Sequence, residues 1–408
     1  MNKKGINGVL CLLPLLLAIA CDVGLTEMGI ENPGNNVITE SELYNASDDD
    51  NTELIVSSVE ELMNTAQSTK SGNMTVLIAD GTYILTDRLW ITGENVTYRS
   101  QSGIRENVIL KGKGMNGSIG YIFSVAGSDF TAKDLTIGEV AHHGIQVHGE
   151  LDADNLNIIN VHFIDINEQN IKGSYDKNNI PENHSDNGLV EHCLFEYSAG
   201  IANQYYCGGI DVHHGENWVV RNNTFKNIIS PVSQLTEGAI HFWTESKNTT
   251  IESNRIVNCD RGIMLGFDST AQYGGIIANN MIQVVRDTGI YLARAESVKV
   301  YNNSVFLMSN YPNAIEYRFG STAGVVLENN LTNKPITSRD GAVAEVKNNL
   351  TNAASYWFSD VGEGNLHLSL FVDAVVDKGS TLGEVPYDID KESRTAGFYD
   401  IGADEWNH

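Results

Sequence analysis

The stretch Gly209-Ile210-Asp211-Val212-His213, with Val219-Val220-Arg221-Asn222-Asn223 shortly after it, decides the fold, because both halves recur along the chain. The first half has the form small-Ile-x-apolar-x. Upstream it is matched by Gly144-Ile145-Gln146-Val147-His148 and Asn170-Ile171-Lys172-Gly173-Ser174. Downstream come Ala239-Ile240-His241-Phe242-Trp243, Gly262-Ile263-Met264-Leu265-Gly266, Gly289-Ile290-Tyr291-Leu292-Ala293, Ala314-Ile315-Glu316-Tyr317-Arg318 and the weaker Pro335-Ile336-Thr337-Ser338-Arg339. The second half is an apolar strand that ends in Asn, as in Ile251-Glu252-Ser253-Asn254, Ile276-Ile277-Ala278-Asn279-Asn280 and Val300-Tyr301-Asn302-Asn303. The pair returns every 21 to 39 residues. Such a period marks a solenoid, in which one unit cannot bury its own apolar face and stacked units can. Propeller blades need four strands per unit, and leucine-rich repeats need a Leu frame that is absent. The expected architecture is therefore all-β: a parallel β-helix whose coils stack about 4.8 Å apart. Ile and the apolar residue two places on point inward, and the Asn column forms an amide ladder. Cys193 falls in that column as a small buried filler. Val59, Leu62 and Met63 recur at helical spacing ahead of the first strand and predict an amino-terminal cap helix.

The rest of the chain fits this reading. It has 408 residues, 41% apolar, with 38 Gly and only 7 Pro. The net charge is −26 and the pI about 4.7. That balance excludes nucleic acid as a partner, because phosphates require Lys and Arg. Any polyanionic partner would need a local basic site or a bridging cation. Asn2-Lys3-Lys4 and the apolar run Val9 to Ala20 read as a signal peptide over 1–20, too short for a spanning helix. The run ends in Leu17-Ala18-Ile19-Ala20-Cys21, which resembles a bacterial lipobox. Cys21 is the expected lipidation site, 21–54 the expected tether, and 55–408 the β-helix domain. The protein is thus expected to be exported and lipid-anchored to the cell envelope, as a monomer. Cys193, Cys207 and Cys259 permit at most one disulfide, and no spacing suggests zinc. Asn365-Leu366-His367-Leu368 and the segment Tyr399 to Trp406 read as a last edge that covers the open end.

Aligning the Ile strands places one set of side chains in an outward column: Gln146, Lys172, Asp211, His241, Met264, Tyr291, Glu316, Thr337. A second column two residues on holds His148, Ser174, His213, Trp243, Gly266, Ala293, Arg318 and Arg339. Lys172, Asp211 and His241 then occupy successive coils, about 5 Å apart. Lys172, Asp211, His213 and His241 are the catalytic candidates; His148, Trp243, Tyr291, Glu316 and Arg318 are the substrate-binding ones. Removal of a proton from a carbon beside a carboxylate would need a base such as His241 or a desolvated Lys172, and a positive partner for the building charge. Hydrolysis needs two carboxyls closer than Asp211 and Glu316, which are four coils or about 19 Å apart. Loop carboxylates such as Asp176, Glu182, Asp186 or Glu237 keep it open. Epimerisation starts from the same proton removal, and a non-catalytic glycan binder needs only the platform of Trp243.

Ala79-Asp80-Gly81-Thr82-Tyr83 after the cap helix, the Asn-Asn coils and the closing Asp400-Ile401-Gly402-Ala403-Asp404-Glu405 together carry a family likeness. On these motifs residues 56 to 406 resemble pectate-lyase-like right-handed parallel β-helix proteins, nearest the branch of chondroitinase-B-type and alginate lyases. The resemblance implies β-elimination of uronic-acid polymers by a Lys base and an Arg acid, often with a calcium ion on the substrate carboxylate. Lys172 matches the base segment. Of the acidic pair that precedes such a base only Glu168 is present, and no Arg has a counterpart.

Overall fold

The computed structural model describes residues 51–406 other than Asp268. The signal segment, Cys21 and most of the tether lie outside the described residues. Three parallel sheets, of 10, 12 and 10 strands in the order in which each coil meets them, run the length of a right-handed β-helix. One coil passes from Gly208–His213 to Val219–Arg221, then Thr224–Lys226, and on to Ile240–Trp243 in the next coil. Within these three sheets strands pair only with their copies in adjacent coils, so the stack is the cooperative unit. The ladder begins at Thr52–Val56, inside the segment read as tether.

The sequence reading gave two strands per coil, and the structure has three. The second and third strands are separated by two residues, as Asn222 and Asn223 separate Val219–Arg221 from Thr224–Lys226. Such a short corner leaves no break in the apolar pattern, so two strands read as one. The Asn doublet builds the corner. Asn222, Asn279, Asn302, Asn329 and Asn348 have φ between 47° and 59°, a left-handed conformation that Asn tolerates. The chain then turns the second Asn inward. Asn223, Asn254, Asn280, Asn303, Asn330 and Asn349 form a ladder in which each Oδ1 accepts a backbone N–H from the coil before it, at 2.8 to 3.1 Å. Cys193 is the buried top of this column, its N–H donating to Asn223. Inside the third sheet Phe163, Phe195 and Phe225 stack at 4.7 and 4.4 Å.

The helix Val59–Ser68 opens on a capping box of Ser58 and Glu61. It seats buried Leu62 against the core, and Thr65 meets the Tyr98 hydroxyl at 2.7 Å. The other end differs from expectation. The antiparallel pair Phe358–Asp360 and Asn365–Leu368 packs with Ile401 and Ala403 against Met281, Phe306 and Leu331. Those three lie on the third sheet, so the closing segment covers its flank. The last inward residue of the second sheet, Val346, stays 45% exposed, because no coil follows it. Glu345 and Lys347 on that final strand discourage further pairing.

Candidate active site

The outward column has the expected register: Gln146, Lys172, Asp211, His241, Met264, Tyr291, Glu316 and Thr337 are successive partners in the first sheet. In the second column His213 pairs with Trp243, and Arg318 with Arg339. Register alone does not give access to solvent, and here the open-face expectation needs correction. Gln146, Asp211, His241, Met264 and Glu316 are buried; Lys172 and Trp243 close on Asp211, and Trp243 and Phe267 on His241.

At the centre, Lys172 Nζ donates to Asp211 Oδ2 at 2.5 Å and to His213 Nε2 at 3.0 Å. Trp243 Nε1 donates to the other Asp211 oxygen at 2.7 Å. An ammonium can only donate, so His213 Nε2 carries a lone pair and Nδ1 holds the proton, which is given to Thr244 Oγ1 at 2.9 Å. Burial works to raise the Asp211 carboxyl, but the Lys172 charge and the neighbouring His241 and His213 outweigh it and hold the group well below the usual carboxylate range. Burial pushes His213 down to about 4, helped by Lys172 and opposed by Asp211.

His241 was a candidate base facing a glycan. It is 1% exposed, with Trp243 stacked on it at 5.0 Å and Phe267 beside it at 6.0 Å. Its Nε2 faces the Gly266 carbonyl at 3.2 Å, so that nitrogen is the protonated one. Nδ1 lies 3.6 Å from Glu237 and 3.9 Å from Asp211. His241 therefore supports the indole from beneath and cannot touch a substrate. His148 is also apart from the centre: it pairs with Glu150 at 2.8 Å and packs edge-on against Trp90.

Tyr291, Glu316 and Arg318 stand three and more coils away, in a cleft of about 320 Å³ shared with Arg261, Phe267, Asp287, Tyr311 and Arg339. Phe267 also meets Trp243 edge-on at 5.5 Å, which joins this cleft to the centre. Glu316 is fully engaged by Tyr311, Asn313 and Arg339, at 2.6, 2.6 and 2.9 Å. It holds the cleft in shape. Arg318 and Arg261 bring positive charge to the wall, each with a carboxylate partner, Asp340 and Asp287.

Several neighbours escaped the sequence reading. Tyr206 is near enough for Lys172, Asp211, Glu168 and Glu237 to act on its hydroxyl, which burial raises first of all. His143 lies one coil before Lys172, with its Nδ1 on the Gln169 carbonyl at 3.0 Å, and burial, then Lys172, lowers it to about 4. Tyr206, Thr244 and Phe267 sit on loops or corners between strands, where no period marks them.

The residues around Lys172 do not suit calcium. Glu168 is taken by His142 and His143, at 3.0 and 3.6 Å, and both Asp211 oxygens are taken by donors. These carboxylates do not converge on a shared point, and no step here is routed through that ion.

The two lowered imidazoles set an acid limit on the fold. His143 and His213 stand near 4 when folded, against about 6.5 unfolded. Between those values the unfolded chain binds more protons, so stability rises with pH. The contribution is full above about 6.5 and is lost as pH falls through about 4, of order 3 kcal/mol for each group. Asp211, lowered from its usual value, adds its loss only below about 4. Urea midpoints at a series of pH values are expected to fall across this window, and His143→Gln to flatten the fall. An unchanged slope would contradict the burial of a neutral ring.

Residues 152–332 match the family model described as the right handed beta helix region. No curated protein matches the chain. Among solved structures, pectate lyase Pel9A is similar at a TM-score of 0.53 and 14% identity, over 84% of this chain and 90% of that one. An alginate lyase from Paenibacillus sp. str. FPU-7 is similar at 0.48 and 12% identity, over 73% and 99%. PfbA, a surface adhesin of Streptococcus pneumoniae, is similar at 0.43 and 13% identity, over 71% and 85%. The likeness to pectate lyase Pel9A and the family-model match show the fold, and the reaction must be argued from the site.

Proposed function

We propose that this protein is an exported, lipid-anchored enzyme that cleaves a uronic-acid-containing polysaccharide by β-elimination. The observation that carries the reading is the contact of Lys172 Nζ with the unprotonated Nε2 of His213, at 3.0 Å, beside the indole of Trp243. A uronate carboxylate entering next to Trp243 draws the Lys172 ammonium to itself, which exposes the His213 lone pair. His213 Nε2 takes the proton on the carbon beside the carboxylate. The electron pair left behind forms the new carbon–carbon double bond, and the glycosidic carbon–oxygen bond breaks. Lys172 balances the carboxylate charge as it builds. Tyr206, a phenol that holds its proton at neutral pH, returns a proton to the departing oxygen. Asp211 positions Lys172 and Trp243 and takes no proton itself.

Hydrolysis has weaker support. Asp211 and Glu237 each have an oxygen within 4 Å of His241 Nδ1, which is close enough for a carboxyl pair. Yet Asp211 is held ionised with both oxygens occupied, so it cannot serve as the acid.

The test is incubation with alginate, pectate, glycosaminoglycan and glucuronan. Ultraviolet absorbance of an unsaturated uronate is the expected result. New reducing ends without that absorbance would show hydrolysis. Solvent deuterium in uncut chains would show epimerisation, and retention of glycan without change would show a binder. Cys21→Ser is expected to move the protein from the membrane fraction to the soluble one; retention in the membrane would remove the anchor.

A further inference from the structure

We infer that the closing segment carries a zinc site formed by His367, Asp390 and Asp404, on the flank of the third sheet and away from the sheet that bears Lys172. One ligand atom from each of the three lies within 4.8 Å of the others. The His367 ring is oriented so that Nδ1 meets Asn365 and Nε2 faces the cluster. The His367 backbone N–H donates to Asn365 Oδ1 at 3.3 Å, which identifies that atom as the amide oxygen. His367 Nδ1 faces the same oxygen, so Nδ1 is the protonated nitrogen. The other ring nitrogen, Nε2, faces Asp390 Oδ2 at 2.8 Å. Asp404 turns a second carboxylate, 9% exposed, toward the same point. A single extra proton would offset one carboxylate. A divalent ion offsets both and accepts the nitrogen.

The surroundings fit a metal site. A ligating histidine commonly donates its other N–H to a fixed acceptor, here Asn365. Asp404 is held by the Leu368 N–H at 2.7 Å. Asp388 accepts the N–H groups of Asp390, Glu392 and Glu405, at 2.9, 2.8 and 3.1 Å, and so fixes both ligand-bearing turns. Asp390, with its side chain 54% exposed, can rotate to close on the ion. One nitrogen and two carboxylate oxygens with an open fourth place suit zinc better than calcium or magnesium, which prefer all-oxygen cages. The ion would clip the hairpin, the 388–390 turn and the closing strand together, where no further coil holds them.

The test is calorimetric titration of the chelator-treated full chain with zinc chloride. One equivalent of zinc is expected to bind and to raise the melting temperature. His367→Ala and Asp390→Asn should each weaken binding at least tenfold. Asn365→Ala, which touches no metal, should weaken it about 10- to 100-fold through the lost orientation of the ring. Circular dichroism of each variant checks that the fold persists; Asp390→Asn alters an exposed side chain and keeps the test valid if His367→Ala unfolds. No uptake of zinc, uptake unchanged by Asp390→Asn and Asn365→Ala, or stabilisation by calcium alone would each overturn the site and leave an imidazolium–Asp390 pair in its place.

Discussion

Lys172→Ala is expected to lower turnover about a thousandfold and to destabilise the fold by about 3–5 kcal/mol, and the two losses are separable. The side chain is 12% exposed and its partner Asp211 only 3%. Removing the ammonium leaves a buried carboxylate with the Trp243 N–H as its close donor, and a buried charge stripped of its counterion costs far more than the pair contributed. Asp211→Asn in the same background removes that charge and keeps an acceptor for Trp243. The double variant should therefore recover most of the lost stability and none of the turnover. Denaturant midpoints and initial rates on the same samples decide the matter. Recovered activity in the double variant would place Lys172 in the scaffold. Full activity in Lys172→Ala would remove the proposed site altogether.

Asn280→Ala should cost about 3 kcal/mol or more although it lies in a different column from the catalytic candidates. Asn280 is buried in mid-ladder. Its Oδ1 accepts both the backbone N–H and the side-chain amide of Asn254, at 2.9 and 3.0 Å. Its Nδ2 donates to the carbonyls of Ile251 and Ala278 and to Asn303 Oδ1. The methyl group left behind orphans donors on one side and acceptors on the other, where water has no access. Asn217→Gly is the contrast. Asn217 belongs to an exposed ladder of longer contacts, 3.4 Å to Asn187 and to Asn248, and its φ of 57° suits glycine. It should change stability by less than about 0.5 kcal/mol. Urea unfolding of the two variants makes the comparison, and equal effects would mean that the inner ladder is not what joins the coils.

The solenoid was legible because its cause is periodic. An inward Ile and an apolar residue two places on return in every coil, and parallel pairing then fixes which side chains share a column. Lys172, Asp211 and His241 could be placed on adjacent rungs from spacing alone, and the structure pairs them so. The third strand was hidden because its corner is two residues long and the apolar pattern runs through it. What the sequence by itself determined is therefore register. What only the tertiary structure decided is accessibility and partnership. His241 and Asp211 share the outward column with Lys172, yet Trp243 and Phe267 fold across the first, and Lys172 and Trp243 claim both oxygens of the second. Tyr206, and the convergence of His367 on the closing hairpin with Asp390 and Asp404, arise on segments that have no period. Their meeting is set by where the coils carry the loop ends, a long-range outcome of packing that local residue order does not encode.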